Sequence, residues 1–452
     1  MQATGSAHLV PFREAFLYWL RLGFINFGGP AGQIAIMHEE LVDKKRWIGE
    51  QRFLHALNYC MLLPGPEATQ LAIYIGWLLN GVAGGIAAGV LFVLPAFFLI
   101  LGLSWVYAVH GDIGWVAAIF FGLEAAVIGI VASAVLRVGE KALKNGAAVG
   151  LAVAAFIAIF FVKVPFPIII AGAAVLGLIG ARLRPDLFPA SVVQDVEDDE
   201  DVILRDASSE QSPPTGLGRA ARVLVLGLAA WWVPLLLVLA VRGLDDTLSK
   251  VALFFSQMAM VTFGGAYAVL SYINQAAVQT FGWLEPGQMV TGLGLAESTP
   301  GPLIMVTEFV GFLAAFRFPG GVDPVGAGIL GATIAVWATF APCFLWIFLG
   351  APFIERLRGA SALNHALGAV TAAVVGVILN LAVTFAIFAL FSEVGRASLL
   401  QMTVPIPSWE TIEPVAAAIA VVAFVALWRF RVNVLWIVTG SAAVGLLYRG
   451  LF

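Results

Sequence analysis

Charge is scarce in this sequence: Asp, Glu, Lys and Arg make up 12% of 452 positions, against 61% hydrophobic residues. A water-soluble globule could not hide that much apolar surface, so the chain belongs in lipid. Cysteine is rarer still. Cys60 and Cys343 both fall inside apolar stretches, which argues against a disulfide framework and for small buried side chains. Of five histidines, His38 and His55 lie close in sequence but lack the spacing of a metal pair, so no metal site or cofactor is expected. HExxH, GxSxG and dense His/Asp clusters are missing, which argues against a membrane-embedded enzyme. A Gly-x-x-x-x-Gly-Lys-Ser/Thr loop is also missing, which argues against direct ATP drive. Residues 1–12 are short and weakly polar, and Arg13, Glu14 and Arg21 follow them, so no cleavable leader is read there.

What the chain has instead is long apolar runs. A spanning helix needs roughly 20 apolar residues, and Ile86–Tyr107, Trp115–Leu136, Leu224–Val241, Ala327–Leu349 and Ala366–Leu390 meet that need. The chain is therefore expected to be an all-α polytopic membrane protein, with lipid as a partner and no nucleic acid. Acid is concentrated in one place: 183–218 holds nine carboxylates and two arginines, which leaves 19 acids against 22 basic residues elsewhere. That segment, rich in Asp, Glu, Ser and Pro, reads as a disordered cytoplasmic linker.

The linker separates two copies of one unit. Phe27-Gly28-Gly29 returns as Phe263-Gly264-Gly265, Trp47 as Trp283 and Pro64-Gly65-Pro66 as Pro300-Gly301-Pro302, all at a spacing of 236. Pro95 and Gly129 return as Pro342 and Gly376 at 247, and Gly172 and Gly177 as Gly440 and Gly445 at 268. A spacing that only grows means loop insertions in the second copy. The expected division is 1–182, the linker 183–218, a connecting helix within 219–246, and 247–452.

One extra crossing between the copies would invert the second relative to the first. The positive-inside rule tests this. Loops assigned to the cytoplasm carry Arg137, Lys141, Lys144, Arg182, Arg184, Arg219, Arg222, Arg356, Arg358, Arg429 and Arg431, whereas those opposite carry Lys163, Arg242, Arg396 and Arg449. The basic Lys44-Lys45-Arg46 of the first copy becomes Thr280-Phe281-Gly282 in the second. Two homologous halves as inverted repeats, a common transporter plan, are therefore expected.

Each copy also contains helices too short to span. Arg13–Phe27 and Ala31–Lys45 are divided by Gly28-Gly29-Pro30, and Glu50–Leu63 and Glu67–Leu79 by Pro64-Gly65-Pro66. Glycine permits φ > 0 and proline suits a first helical turn, so each pair reads as an interrupted, re-entrant hairpin. Irregular backbone at membrane depth survives only where protein or water satisfies it, so the turns should face each other or a cavity. Each second helix then presents free N–H groups and a positive dipole end, which suits an anion. The second copy repeats this at Gly264-Gly265 and Pro300-Gly301-Pro302, adding the hydroxyls of Thr262, Ser298 and Thr299.

At these residues the sequence resembles the CHR-type chromate ion transporters, in the long form with two fused domains. The resemblance rests on Phe27-Gly28-Gly29-Pro30, on Leu62-Leu63-Pro64-Gly65-Pro66-Glu67-Ala68-Thr69-Gln70-Leu71-Ala72-Ile73-Tyr74-Ile75-Gly76, on Thr262–Gly265 and on Ser298–Pro302, and it covers nearly everything except 184–218. It implies efflux of chromate from the cytoplasm, driven by membrane potential or a proton gradient and giving chromate resistance. Sulfate, another tetrahedral dianion, is the alternative substrate, and a channel of the same architecture the alternative mechanism. The second copy departs at Ala266 and Tyr267, where the first has Pro30 and Ala31.

Single residues carry competing readings. The glycine and proline turns are either part of the anion site or plain kinks. Arg21 either neutralises part of a dianion or snorkels to the interface. Asn26, Gln33, Asn58, Thr69 and Gln70 either touch substrate or bond neighbouring helices. Glu67, Glu297 and Glu308 either cap helices or carry protons, and Lys44, Lys45 and Arg46 either set topology or draw anions to the cytoplasmic mouth. A homodimer is compatible with the sequence.

Overall fold

The computed structural model describes residues 10–183, 203, 217–263, 265–351, 361–399 and 402–451. The expected linker lies outside them except at its margins and at Ile203, as do Gly264, Arg356 and Arg358. The first copy forms α1 (Phe12–Ile25), α2 (Gly29–His38), α3 (Glu50–Leu62), α4 (Glu67–His110), α5 (Gly114–Ala142), α6 (Gly146–Phe160) and α7 (Phe166–Leu183). After α8 (Leu217–Arg242), the second forms α9 (Thr247–Met260), α10 (Ala266–Asn274), α11 (Gln288–Ser298), α12 (Val306–Arg317), α13 (Pro324–Gly350), α14 (Ser361–Leu390), α15 (Pro414–Trp428) and α16 (Val434–Leu451). Among the described residues, six helices are long and apolar enough to cross a membrane.

The repeat holds in detail. Both α2 and α10 continue into one π-helical turn, Glu39–Lys44 and Gln275–Thr280, again 236 residues apart. α15 and α16 begin and end 268 residues after α6 and α7. The step from 247 to 268 has a physical cause: an antiparallel hairpin of β1 (Val394–Leu399) and β2 (Met402–Pro407) is inserted before α15, a small departure from an all-helical chain. At 44 residues, α4 would run about 66 Å as one rod. It does not, because Asn80 and Gly81 leave helical geometry (Gly81 φ 65°) and the backbones of Gly76 and Gly84 abut across the break. In the second copy the same break is the loop between α12 and α13, with Gly311 against Gly331.

Two features relate the halves. The long arm of α4 and its counterpart α13 pack antiparallel, Gly85 against Phe348 and Gly89 against Phe344, so the halves are inverted with respect to each other. The terminal helices are also exchanged: α15 and α16 pack on α5, whereas α6 and α7 pack on α14. Glycines from the repeat make these contacts. Gly129 meets Ala420 and Phe424, and its counterpart Gly376 meets Ala152 and Phe156; Gly177 meets Ala366, and Gly445 meets Ala118 and Gly122. Small residues let helix backbones approach closely where lipid offers no hydrophobic drive. Neither copy therefore completes its own bundle.

Candidate anion site

All four interrupted turns converge. Gly28 (φ 91°) and Gly29 (φ 66°) turn the chain from α1 into α2, and Gly265 (φ 97°) opens α10. Gly65 and Gly301 adopt nearly the same conformation, φ 128° and 130°. Across the pseudo-twofold axis the N–H of Gly65 donates to the carbonyl of Thr262 (2.9 Å), and that of Gly301 donates to the carbonyl of Asn26 (2.8 Å). Each Pro-Gly-Pro turn is thus clamped to the residues that follow the first helix of the other copy, Asn26 after α1 and Thr262 after α9. The clamp is closed from behind by equivalent residues, Cys343 against Gly65 and Ala96 against Gly301, each following the paired proline Pro342 or Pro95.

The turns enclose a small cavity lined by Pro30, Gln33, Pro66, Glu67, Ala68, Ala266, Pro302, Leu303 and Ile304. Its room is about that of a water molecule. A tetrahedral oxyanion is larger than that room. α2, α4 and α10 start at the cavity, as does the 3₁₀ turn Leu303–Met305 that leads into α12. The first N–H groups of a helix have no intrahelical acceptor. Each start carries roughly half a positive charge, so four offer about two, the charge of a dianion.

The polar residues divide by what they bond. The Gln33 Nε2 donates to the carbonyl of Gly301 (2.5 Å) and the Gln70 Nε2 to that of Pro64 (2.8 Å), so both brace turns. Asn26 and Thr69 are fully buried, and their side-chain polar atoms have no partner among the described residues. The hydroxyls of Thr262, Ser298 and Thr299, expected at the anion, donate instead to carbonyls of their own helices: Met258 for Thr262 and Leu295 for the other two. A hydroxyl has one proton, so none remains for an anion. Asn58 likewise bonds the Leu54 carbonyl.

The charged residues scatter. Arg21 does not reach the cavity: it lies exposed on α1 with its charge near Glu40. Its helix turns the long side chain outward, away from the cavity. Lys44 pairs with Glu39 (2.8 Å) and Glu40 (2.9 Å), and Lys45 with Glu14 (3.4 Å) while stacking on Trp47; Arg46 is exposed. The hydrogen bond from Lys44 holds the Glu40 carboxyl below its usual range. Paired lysines attract a distant anion less than free ones. His38 bridges α2 to α3 through Glu50.

Glu67 lines the cavity, and a Cβ on Gly265 would sit 3.6 Å from its Oε1, so its carboxylate points at the start of α10 in the other copy. The second copy has Leu303 at this position. Glu297 accepts from the Tyr267 hydroxyl (2.5 Å), which lies beside Gly29. Glu308 is fully buried with neither oxygen paired among the described residues. The sequence marks Tyr267 only as a departure between copies, Ala96 only by the proline before it, and Cys343 only as a small buried side chain and by its own preceding proline.

The sequence profile of the chromate transporter family matches residues 13–178 and 249–446, one match to each copy. The chain belongs to the chromate transporter family. It is 30% identical over 392 residues to the chromate transport protein of Cupriavidus metallidurans, covering 85% of this chain and 86% of that one. With the chromate transport protein of Pseudomonas aeruginosa it shares 31% over 376 residues, 81% of this chain and 79% of the relative. An uncharacterized transporter of Bacillus subtilis is 34% identical over 142 residues, only 30% of this chain but 68% of the relative. No solved structure matches the fold. This family member is thus a multi-pass membrane transporter whose two family regions coincide with the two helical copies.

Proposed function

We propose that this transporter exports chromate from the bacterial cytoplasm, and that the dianion binds where the four turns meet. The observation that carries this is the cavity lined symmetrically by the first residues of helices from both copies. Backbone N–H groups are the main ligands, with Asn26 and Thr69 the buried donors still free to reach the anion. In the closed state Glu67 occupies the positive ends as a tethered anion. Chromate entry displaces or neutralises it, which gives protons a hold on the cycle, while Glu297 and Glu308 are the further proton carriers. Moving a dianion out across an inside-negative potential of about 100 mV releases roughly 4.6 kcal/mol, enough for export without ATP.

Uptake of radiolabelled chromate into everted vesicles tests direction and drive together. Accumulation that rises with the imposed potential, and is outcompeted by excess chromate more than by sulfate, is the expected result. Accumulation in right-side-out vesicles alone would overturn export.

A further inference from the structure

A second acidic group lies apart from the cavity, at the other end of α11. Glu124 sits in mid-α5, inside the apolar run Trp115–Leu136, and its carboxylate accepts a hydrogen bond from the Thr291 hydroxyl of α11. The Tyr107 hydroxyl, at the end of α4, stands beside Thr291 and Gln288, with its ring wedged between Phe120 (4.9 Å) and Phe309 (5.3 Å). Gln288 Oε1 accepts from the Glu285 amide (2.9 Å) and from Arg317 (3.3 Å), and Arg317 pairs with Glu285 (3.1 Å). The Glu285 side chain is 71% exposed. A continuous polar line therefore runs from the surface at Glu285 and Arg317, through Gln288, Tyr107 and Thr291, to a carboxyl held among apolar helices.

We infer that Glu124 is a proton-binding site, loaded from the face that carries Glu285 and Arg317, and that α11 transmits its state to the anion cavity. This rests on the transport reading above and adds to Glu67, Glu297 and Glu308 a group that a pH gradient reaches from the opposite end of α11. Hydroxyls donate and accept at once, so Tyr107 and Thr291 can pass a proton inward without a water-filled pore. A solvent proton enters at the half-buried Tyr107 oxygen while the Tyr107 proton moves to Thr291 and the Thr291 proton moves to a Glu124 oxygen; Gln288, Arg317 and Glu285 position the entry and carry no proton themselves. The Thr291 hydroxyl, having given its proton to Glu124 and taken one from Tyr107, then accepts from the carboxyl to which it had donated. α11 is a half-length helix of 11 residues that continues directly into Thr299-Pro300-Gly301, the turn clamped to Asn26. A change at Thr291 thus acts on a rigid element that ends at the cavity wall.

The other groups facing Glu124 are few. From α16 comes the charge of Arg449, whose guanidinium lies 4.4 Å from the Phe121 ring centroid, together with the neighbouring Tyr448. From α4 comes Tyr107. α15 has no titratable side chain, and α14 has only His365, which lies by Gly177 of α7. The site is single, because the counterpart of Glu124 is Thr371, whose hydroxyl donates to its own Leu367 carbonyl (2.8 Å).

The first test needs no substrate. Infrared difference spectra between acid and alkaline pH, taken on the full chain in lipid nanodiscs, should contain a protonated-carboxyl band that Glu124→Gln removes and Thr291→Val shifts in midpoint. A band unaffected by Glu124→Gln overturns the site. The second test uses proteoliposomes: Glu124→Gln should keep chromate counterflow, which needs no gradient, and lose acceleration by an imposed pH gradient. Retained acceleration overturns the coupling role. Wild-type protein without counterflow, but with the band, would instead count against the transport reading and leave the proton site supported.

Discussion

Gly301→Ala is the change that most directly separates a built site from a kink. At φ 130° an added Cβ is strained, by about 1–3 kcal/mol. The new methyl would also overlap the Ala96 Cβ, so the turn must retreat from α4. Retreat loosens two buried hydrogen bonds, from the Gly301 N–H to Asn26 (2.8 Å) and from Gln33 to the Gly301 carbonyl (2.5 Å), worth about 1 kcal/mol each. The sum is about 3–5 kcal/mol. At 1.4 kcal/mol per tenfold, the closed cavity should become rarer by a factor of about 100 to several thousand. Chromate flux in everted vesicles, normalised to folded protein by fluorescence-detected size exclusion, should fall close to background. Adding Ala96→Gly removes the overlap but not the strain, so the double variant should recover part of the flux. Gly81→Ala is the control: its φ is 65°, nothing lies within 4 Å of the added carbon, and the cost is about 1 kcal/mol, so flux should persist. Wild-type flux in Gly301→Ala, or no recovery with Ala96→Gly, would refute the reasoning.

Three more outcomes follow from the same geometry. Membrane-impermeant thiol labelling of single cysteines should reach positions near Phe281 and Ser392 from outside, and positions near Lys45 and Lys141 only from the cytoplasm; labelling of equivalent loops from one side would contradict inverted insertion. Glu67→Gln removes a titratable carboxyl from the cavity wall and should lower the chromate concentration for half-maximal flux, and an unchanged value would mean that Glu67 merely caps α4. Arg21→Gln should leave that concentration unchanged, because Arg21 is exposed and remote from the cavity, whereas weaker binding would bring it back into the site.

The register of the repeat is legible to the residue, since turns are made by Gly and Pro for local reasons that survive in a single sequence: Gly65 and Gly301, 236 positions apart, share nearly the same φ. Helix lengths and inversion followed from apolar runs and loop charge. The role of hydroxyls was not legible. Thr262, Ser298 and Thr299 stand beside the turns in sequence, yet each bonds backwards along its own helix, a choice made by rotamer and not by residue type. Arg21 misled in the same way, because a 14-residue helix has an inner and an outer face and its pattern alone did not say which face met the cavity.

By itself the sequence determined the membrane class, the two copies, the four interrupted turns and the family, because composition, periodicity and turn chemistry act over a few residues. Tertiary structure alone decided that α6 and α7 serve the other copy, that each Pro-Gly-Pro is clamped to Asn26 or Thr262 of the opposite copy, and that Glu124 meets Thr291 across 167 positions of chain. Those are long-range contacts. They depend on how rigid helices fill a shared volume, and no local run of residues encodes which partner fills it.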